Sequence, residues 1–139
     1  MNTKTTSLKS SYHCVYALNY HLVLVTKYRR KCLSCAMLKV IESSARERCA
    51  SRGGELLEAN GESDHVHLLV SLPPNVSPGE FVNAVKSNTA RILRRDFLRE
   101  LARVYSQPGL WSRSYCAISV GGAPLEVLKR YIEEQERPE

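Results

Sequence analysis

The sequence predicts an α+β fold: a four-stranded antiparallel sheet with two helices on one face, followed by one more helix. Three observations carry this expectation. Apolar residues alternate with period two in four stretches and recur at helical spacing in three others. The order of these stretches is β-α-β-β-α-β-α, and no Pro/Gly/Ser-rich linker divides the 139 residues. The spacer between the second and third strands is short enough for a hairpin.

Residues from about Tyr12 to Thr26 are rich in Val, Leu and Tyr, which predicts one long first strand ending at Lys27-Tyr28-Arg29-Arg30. Ser34 can cap a helix in which Met37, Ile41 and Ala45 share a face and which Gly53-Gly54 ends. A second strand spans roughly Glu55 to Asn60, and Gly61-Glu62-Ser63 is turn material. The third strand follows, from about His65 to Leu72, and Pro73-Pro74 closes it. Ser77 and Glu80 form a capping-box pattern for a second helix through Phe81, Val85, Thr89 and Leu93, expected to reach about Tyr105. Trp111 to Val120 alternates as a fourth strand. Gly121-Gly122 acts as a hinge or an ordinary turn, and Pro124 opens a last helix reaching about Glu136.

This order is that of a split βαβ, ferredoxin-like or RRM-like sandwich, which leaves one sheet face free of helices. Residues 1–11 read as a flexible leader and 12–139 as a single domain. The leader is polar and lacks the apolar centre of a secretory signal, and no apolar run approaches the ~20 residues of a membrane span, so a cytoplasmic location is expected. Five cysteines suit a reducing compartment better than a disulfide framework. Cys32-x-x-Cys35 has no second pair to make a zinc site, and His13 and His21 lack a spacing partner.

The residues that point to chemistry begin with Asp64-His65-Val66-His67-Leu68-Leu69-Val70-Ser71-Leu72. Alternation sends Val66, Leu68, Val70 and Leu72 to one face and both histidines to the other, where they are half of a divalent-metal site or simply half-exposed polar positions. Tyr131 and Gln135 stand four residues apart, one turn of the last helix. If that helix crosses the open face, the Gln135 amide oxygen can complete a site with His65 and His67, and Tyr131 lies beside it as a nucleophile for phosphorus. Otherwise Tyr131 is an amphipathic aromatic on a core helix.

Net charge is +6, from 20 basic and 14 acidic residues, which favours a polyanionic partner. Lys27, Arg29 and Arg30 follow the first strand with Tyr28 among them, a basic cluster around one aromatic ring that is suited to phosphates. Lys86 and Arg91 on the second helix are weaker candidates, since basic side chains also decorate solvated helix faces.

The blocks Tyr20-His21-Leu22-Val23-Leu24-Val25-Thr26-Lys27-Tyr28-Arg29-Arg30, Asp64-His65-Val66-His67-Leu68-Leu69-Val70, Leu110-Trp111-Ser112-Arg113-Ser114-Tyr115 and Arg130-Tyr131-Ile132-Glu133-Glu134-Gln135 resemble, in order, those of the single-tyrosine HUH transposases of small, IS200-like insertion sequences. The resemblance implies that His65, His67 and Gln135 hold Mg²⁺ or Mn²⁺ and that Tyr131 is the nucleophile. It implies cleavage of single-stranded DNA at hairpin-marked element ends, a 5′-phosphotyrosine link and a free 3′-OH, then strand rejoining without ATP. It also implies a homodimer in which the tyrosine helix is exchanged between subunits. The alternatives are a non-catalytic single-strand-binding module and a domesticated relative that processes chromosomal palindromes.

Overall fold

The computed structural model describes residues 9–11, 14–16, 18–120 and 132–134. Two short strands, β1 (Lys9–Ser11) and β2 (Cys14–Tyr16), pair with each other as a separate two-stranded unit. The main sheet contains β3 (Asn19–Thr26), β4 (Glu55–Gly61), β5 (His65–Ser71) and β6 (Trp111–Ser119), with α1 (Cys35–Ser51) between β3 and β4. Between β5 and β6 lie α2 (Pro78–Asp96) and the short α3 (Leu98–Ala102). The strand order is β4-β5-β3-β6 with every neighbouring pair antiparallel, the expected βαββαβ arrangement.

Two elements differ from the sequence expectation. The long first strand is interrupted, because β3 joins the main sheet only from Asn19 and the residues before it include the small hairpin; Lys9–Ser11, inside the stretch read as a leader, is one of its strands. The second helix does not run unbroken to Tyr105. Phe97 leaves helical geometry at φ −126° and ψ 38°, and α3 starts in a new direction after it. The expected last helix falls largely outside the described residues, among which 132–134 are helical.

Helix ends follow their cap residues. Ser34 Oγ accepts from Met37 N at 3.2 Å, and Ser77 Oγ accepts from Glu80 N at 3.0 Å, each satisfying an amide that the first helical turn leaves without a partner. After α1 the chain reverses so closely against β5 that a Cβ at Gly54 would stand 2.5 Å from the Ser71 carbonyl oxygen, which reserves that position for glycine.

The core lies between the helices and one sheet face. Leu22 and Leu24 of β3 and Val66, Leu68 and Val70 of β5 are buried against Met37 and Ile41 of α1 and Phe81 and Val85 of α2. At its far end, Trp111 Nε1 donates to Thr89 Oγ1 at 3.0 Å, and that hydroxyl donates to the Val85 carbonyl at 2.7 Å. Thr89 is fully buried, so its hydroxyl is the means by which the indole N–H is satisfied away from water. Thr89→Val keeps the shape and removes the acceptor. It should lower unfolding free energy by about 1–3 kcal/mol in urea titrations, and an unchanged midpoint would show that the indole finds another partner.

Candidate active site on the open sheet face

The other face of the sheet carries the histidines. In the β3–β5 register His65 stands opposite Val25 and His67 opposite Val23, while Leu22 and Leu24 point to the helices. His65 and His67 are therefore side by side on the face turned away from α1 and α2, as alternation predicted. Next to them Val23 and Val25 form a small apolar patch with Cys116, Ile118 and Ile132. Ile132 lies between Tyr131 and Gln135 in sequence; those two expected site residues are outside the described residues.

The strand start is anchored to the turn after β3. Thr26 donates its backbone N–H to the Asp64 carbonyl at 3.0 Å and its hydroxyl to the Arg30 carbonyl at 2.7 Å. Lys27 N donates to the Leu110 carbonyl at 2.8 Å, which ties the same turn to the approach of β6. Between these anchors Tyr28 and Arg29 adopt left-handed φ values of 58° and 53°, costing on the order of 1–3 kcal/mol each where no glycine relieves them. The turn thus directs each side chain separately.

Arg29 points inward. Its Nε donates to Asp64 Oδ2 at 2.7 Å, and Asp64 Oδ1 accepts from His65 Nδ1 at 2.8 Å. Burial would raise the Asp64 carboxyl, but the hydrogen bonds from His65 and Arg29 outweigh it and hold the group below its ordinary value. An ionised carboxylate only accepts, so the shared hydrogen sits on His65 Nδ1, and in the neutral ring Nε2 keeps its lone pair.

His67 has a different neighbour. Its Nε2 is 2.8 Å from His21 Nδ1, one of the two donating, and the rings stack at 4.9 Å between centroids. Burial and then the His21 ring lower the His67 pKa, so His67 is neutral at neutral pH. Neutral imidazoles are the form that divalent ions bind, and a carboxylate on the far nitrogen is a common orienting device for such histidines, so His65 fits a metal as it stands, and His67 fits one once its Nε2 is released from His21. Among the described residues no group of three or more His, Cys, Asp and Glu side chains is arranged to hold one.

The basic residues divide into separate groups. Lys27 Nζ and Arg30 Cζ lie 5.7 and 6.0 Å from the centre of the exposed Tyr28 ring, a cation–π cluster on the surface. Lys86 Nζ instead donates to the Ser112 and Arg113 carbonyls at 2.6 and 3.1 Å, binding α2 to β6. Arg91 is exposed and donates to Asn88 Oδ1 at 2.6 Å. Cys35 is exposed, whereas the Cys32 thiol lies 3.9 Å from the Tyr105 hydroxyl and is pushed up by burial.

Sequence reasoning did not assign roles to Asp64 or His21. A carboxylate immediately before His65 was a local signal for the first. His21 had none, because it meets His67 diagonally only once β3 and β5 are in register.

The family model described as "Transposase IS200 like" matches residues 14–135. The chain belongs to the IS200-like transposase family. This transposase is 31% identical over 121 residues to the ISDra2 transposase TnpA of Deinococcus radiodurans, covering 87% of this chain and 86% of that protein. A crystal structure of a candidate transposase from the same organism matches at a TM-score of 0.81 and 31% identity, covering 91% of this chain and 97% of that one. A REP-associated tyrosine transposase bound to a REP hairpin matches at a TM-score of 0.56 and 11% identity, covering 90% of this chain and 69% of that one, a likeness of fold alone.

The lowered pKa of His67 has a consequence with a definite sign. Between that pKa and the ordinary histidine value of about 6.5 the unfolded chain binds more protons, so stability rises with pH through that window, is lost as pH falls through it, and levels off for this group once both states are protonated. His67→Gln should flatten this slope in urea midpoints measured from about pH 5 to pH 7.5. An identical slope in the variant would assign the pH dependence to other groups.

Proposed function

We propose that this transposase cuts and rejoins single-stranded DNA, with Tyr131 as nucleophile and His65, His67 and Gln135 as the ligands of a divalent cation. The observation that carries this reading is the pair of neighbouring histidines on the open face, one held by a buried carboxylate and the other neutral. The helical residues 132–134 add support, because Ile132 packs on that same face against Val23 and Val25. A helix docked there would bring Tyr131 and Gln135 toward the histidines.

The DNA-binding role falls to Lys27, Tyr28, Arg29 and Arg30, with Lys86 and Arg91 further along α2. Tyr28 offers a base an exposed ring while its basic neighbours meet phosphates. The hairpin bound by the REP-associated relative makes a hairpin-marked single strand the reading we adopt for the ligand here. Residues 12–139 act as one catalytic domain in the cytoplasm, and the active form is a homodimer in which the tyrosine helix of each subunit takes, on the other subunit's open face, the place that Ile132 holds on its own face here. The hinge Gly121-Gly122 precedes that helix in the sequence.

Chemically, the Tyr131 oxygen attacks phosphorus, the P–O3′ bond breaks, and the products are a 5′-phosphotyrosine and a 3′-OH that has gained a proton. In the return step another 3′-OH attacks, the P–O bond to tyrosine breaks and Tyr131 recovers its proton. Each step exchanges one phosphoester for another, so no ATP is consumed. The cation, Mg²⁺ or Mn²⁺, supplies Lewis-acid polarisation of the phosphate when bound. His65 contributes a ring whose orientation is set by Asp64, and His67 a ring kept uncharged by its surroundings.

Labelled single strands from the flanks of the gene, incubated with Mg²⁺ and resolved on a denaturing gel, should yield a covalent protein–DNA adduct. Tyr131→Phe should retain DNA binding and lose adduct formation by about 10⁴-fold or more. Changing His65 and His67 together to Ala should remove the metal-dependent reaction. Cleavage surviving Tyr131→Phe would contradict the assignment, and tight metal-independent binding without any adduct would point to a binding module.

A further inference from the structure

His65 is tied to the turn after β3 through one buried carboxylate, that of Asp64. Asp64 is 4% exposed, and its two oxygens are divided between His65 Nδ1 at 2.8 Å and Arg29 Nε at 2.7 Å. Its backbone carbonyl is also occupied, accepting from the Thr26 N–H at 3.0 Å. The carboxylate therefore has little freedom to turn without losing a partner.

Arg29 differs from the basic residues beside it. Lys27 and Arg30 gather around the exposed Tyr28 ring, whereas the Arg29 side chain is only 20% exposed and its Nε meets Asp64. It reaches inward from a left-handed backbone at φ 53°, an unusual conformation for a residue whose side chain is merely solvated. A strained turn that aims one arginine at a buried carboxylate is a positioning device.

We propose that Arg29 and Asp64 are positioning residues for His65: Arg29 fixes the Asp64 carboxylate, and Asp64 holds the hydrogen of His65 on Nδ1 so that Nε2 faces the metal. This role of Arg29 is additional to any phosphate contact, and it rests on the proposed function, in which His65 is a metal ligand.

The sign of one substitution separates positioning from simple electrostatics. Removing a cation near a cation-binding site strengthens metal binding if only charge matters. If Arg29 acts through Asp64, its removal weakens binding instead. Mn²⁺ affinity of the full chain without DNA, followed by the electron paramagnetic resonance of free Mn²⁺, should fall about tenfold or more in Arg29→Gln and in Asp64→Asn, as loss of such outer partners does. Lys27→Gln, which removes a charge from the same turn but no bond to Asp64, should not weaken it.

Equal or tighter Mn²⁺ binding by Arg29→Gln would overturn the proposal. A second measurement avoids dependence on how the variants fold: ¹⁵N spectra of labelled histidine in the metal-free wild-type chain should show the His65 ring hydrogen on Nδ1, and a hydrogen on Nε2 in the neutral ring would overturn the proposal equally. Failure of the underlying reading looks different. If the wild-type chain binds no Mn²⁺, or His65→Ala binds it undiminished, the metal assignment itself falls and takes the positioning role with it; if His65→Ala abolishes binding and Arg29→Gln does not weaken it, only the positioning role falls.

Discussion

The antiparallel pairing of β3 with β5 is the constraint on which the rest depends. One face of this pair must cover the helices, and Leu22, Leu24, Val66, Leu68 and Val70 all point that way. A slip of one residue would bury His65 and His67 in an apolar layer and expose those side chains, a change the core would not tolerate. The need to bury apolar surface thus decides where the two imidazoles go. The proposed chemistry falls on the opposite face because the core takes this one.

The end of the same pair concentrates the structure's polar and strained groups. Asp64 at the entry to β5 is buried, a position that costs free energy unless every oxygen is partnered. His65, Arg29 and Thr26 provide those partners. In turn, the two left-handed residues Tyr28 and Arg29 are held by the backbone bonds of Thr26 and Lys27 before them and by Arg30 after them, whose N–H donates to the Lys27 carbonyl and whose carbonyl accepts from the Thr26 hydroxyl. The same contacts that satisfy this corner also fix the His65 ring.

Much of this was legible in the sequence where the signal was local. Period-two alternation placed both histidines on one face, and Ser34 and Ser77 marked the helix starts that their side chains cap. Features set by pairing between distant segments were not legible. His21 meets His67 across two strands, and Arg29 meets Asp64 over 35 positions of chain, so neither contact has a sequence period. The break at Phe97 also escaped periodicity, since the apolar positions continue through Leu98 and Leu101 and only the backbone turns. The first strand was read too long for a related reason: its residues favour extended structure throughout, and which of them join the main sheet depends on their partners.

Family membership and geometry meet at the open face, where the histidines, a patch built from Val23 and Val25, and Ile132 of the tyrosine-bearing segment adjoin. The most direct test of a single assembled site is a distance between its two halves. With fluorotyrosine in place of tyrosine and the Tyr131 resonance assigned by its loss in Tyr131→Phe, substoichiometric Mn²⁺ should broaden that ¹⁹F signal selectively, and replacing His65 and His67 by Ala should abolish the effect. A Tyr131 signal left sharp while Mn²⁺ is bound at the histidines would contradict the shared site.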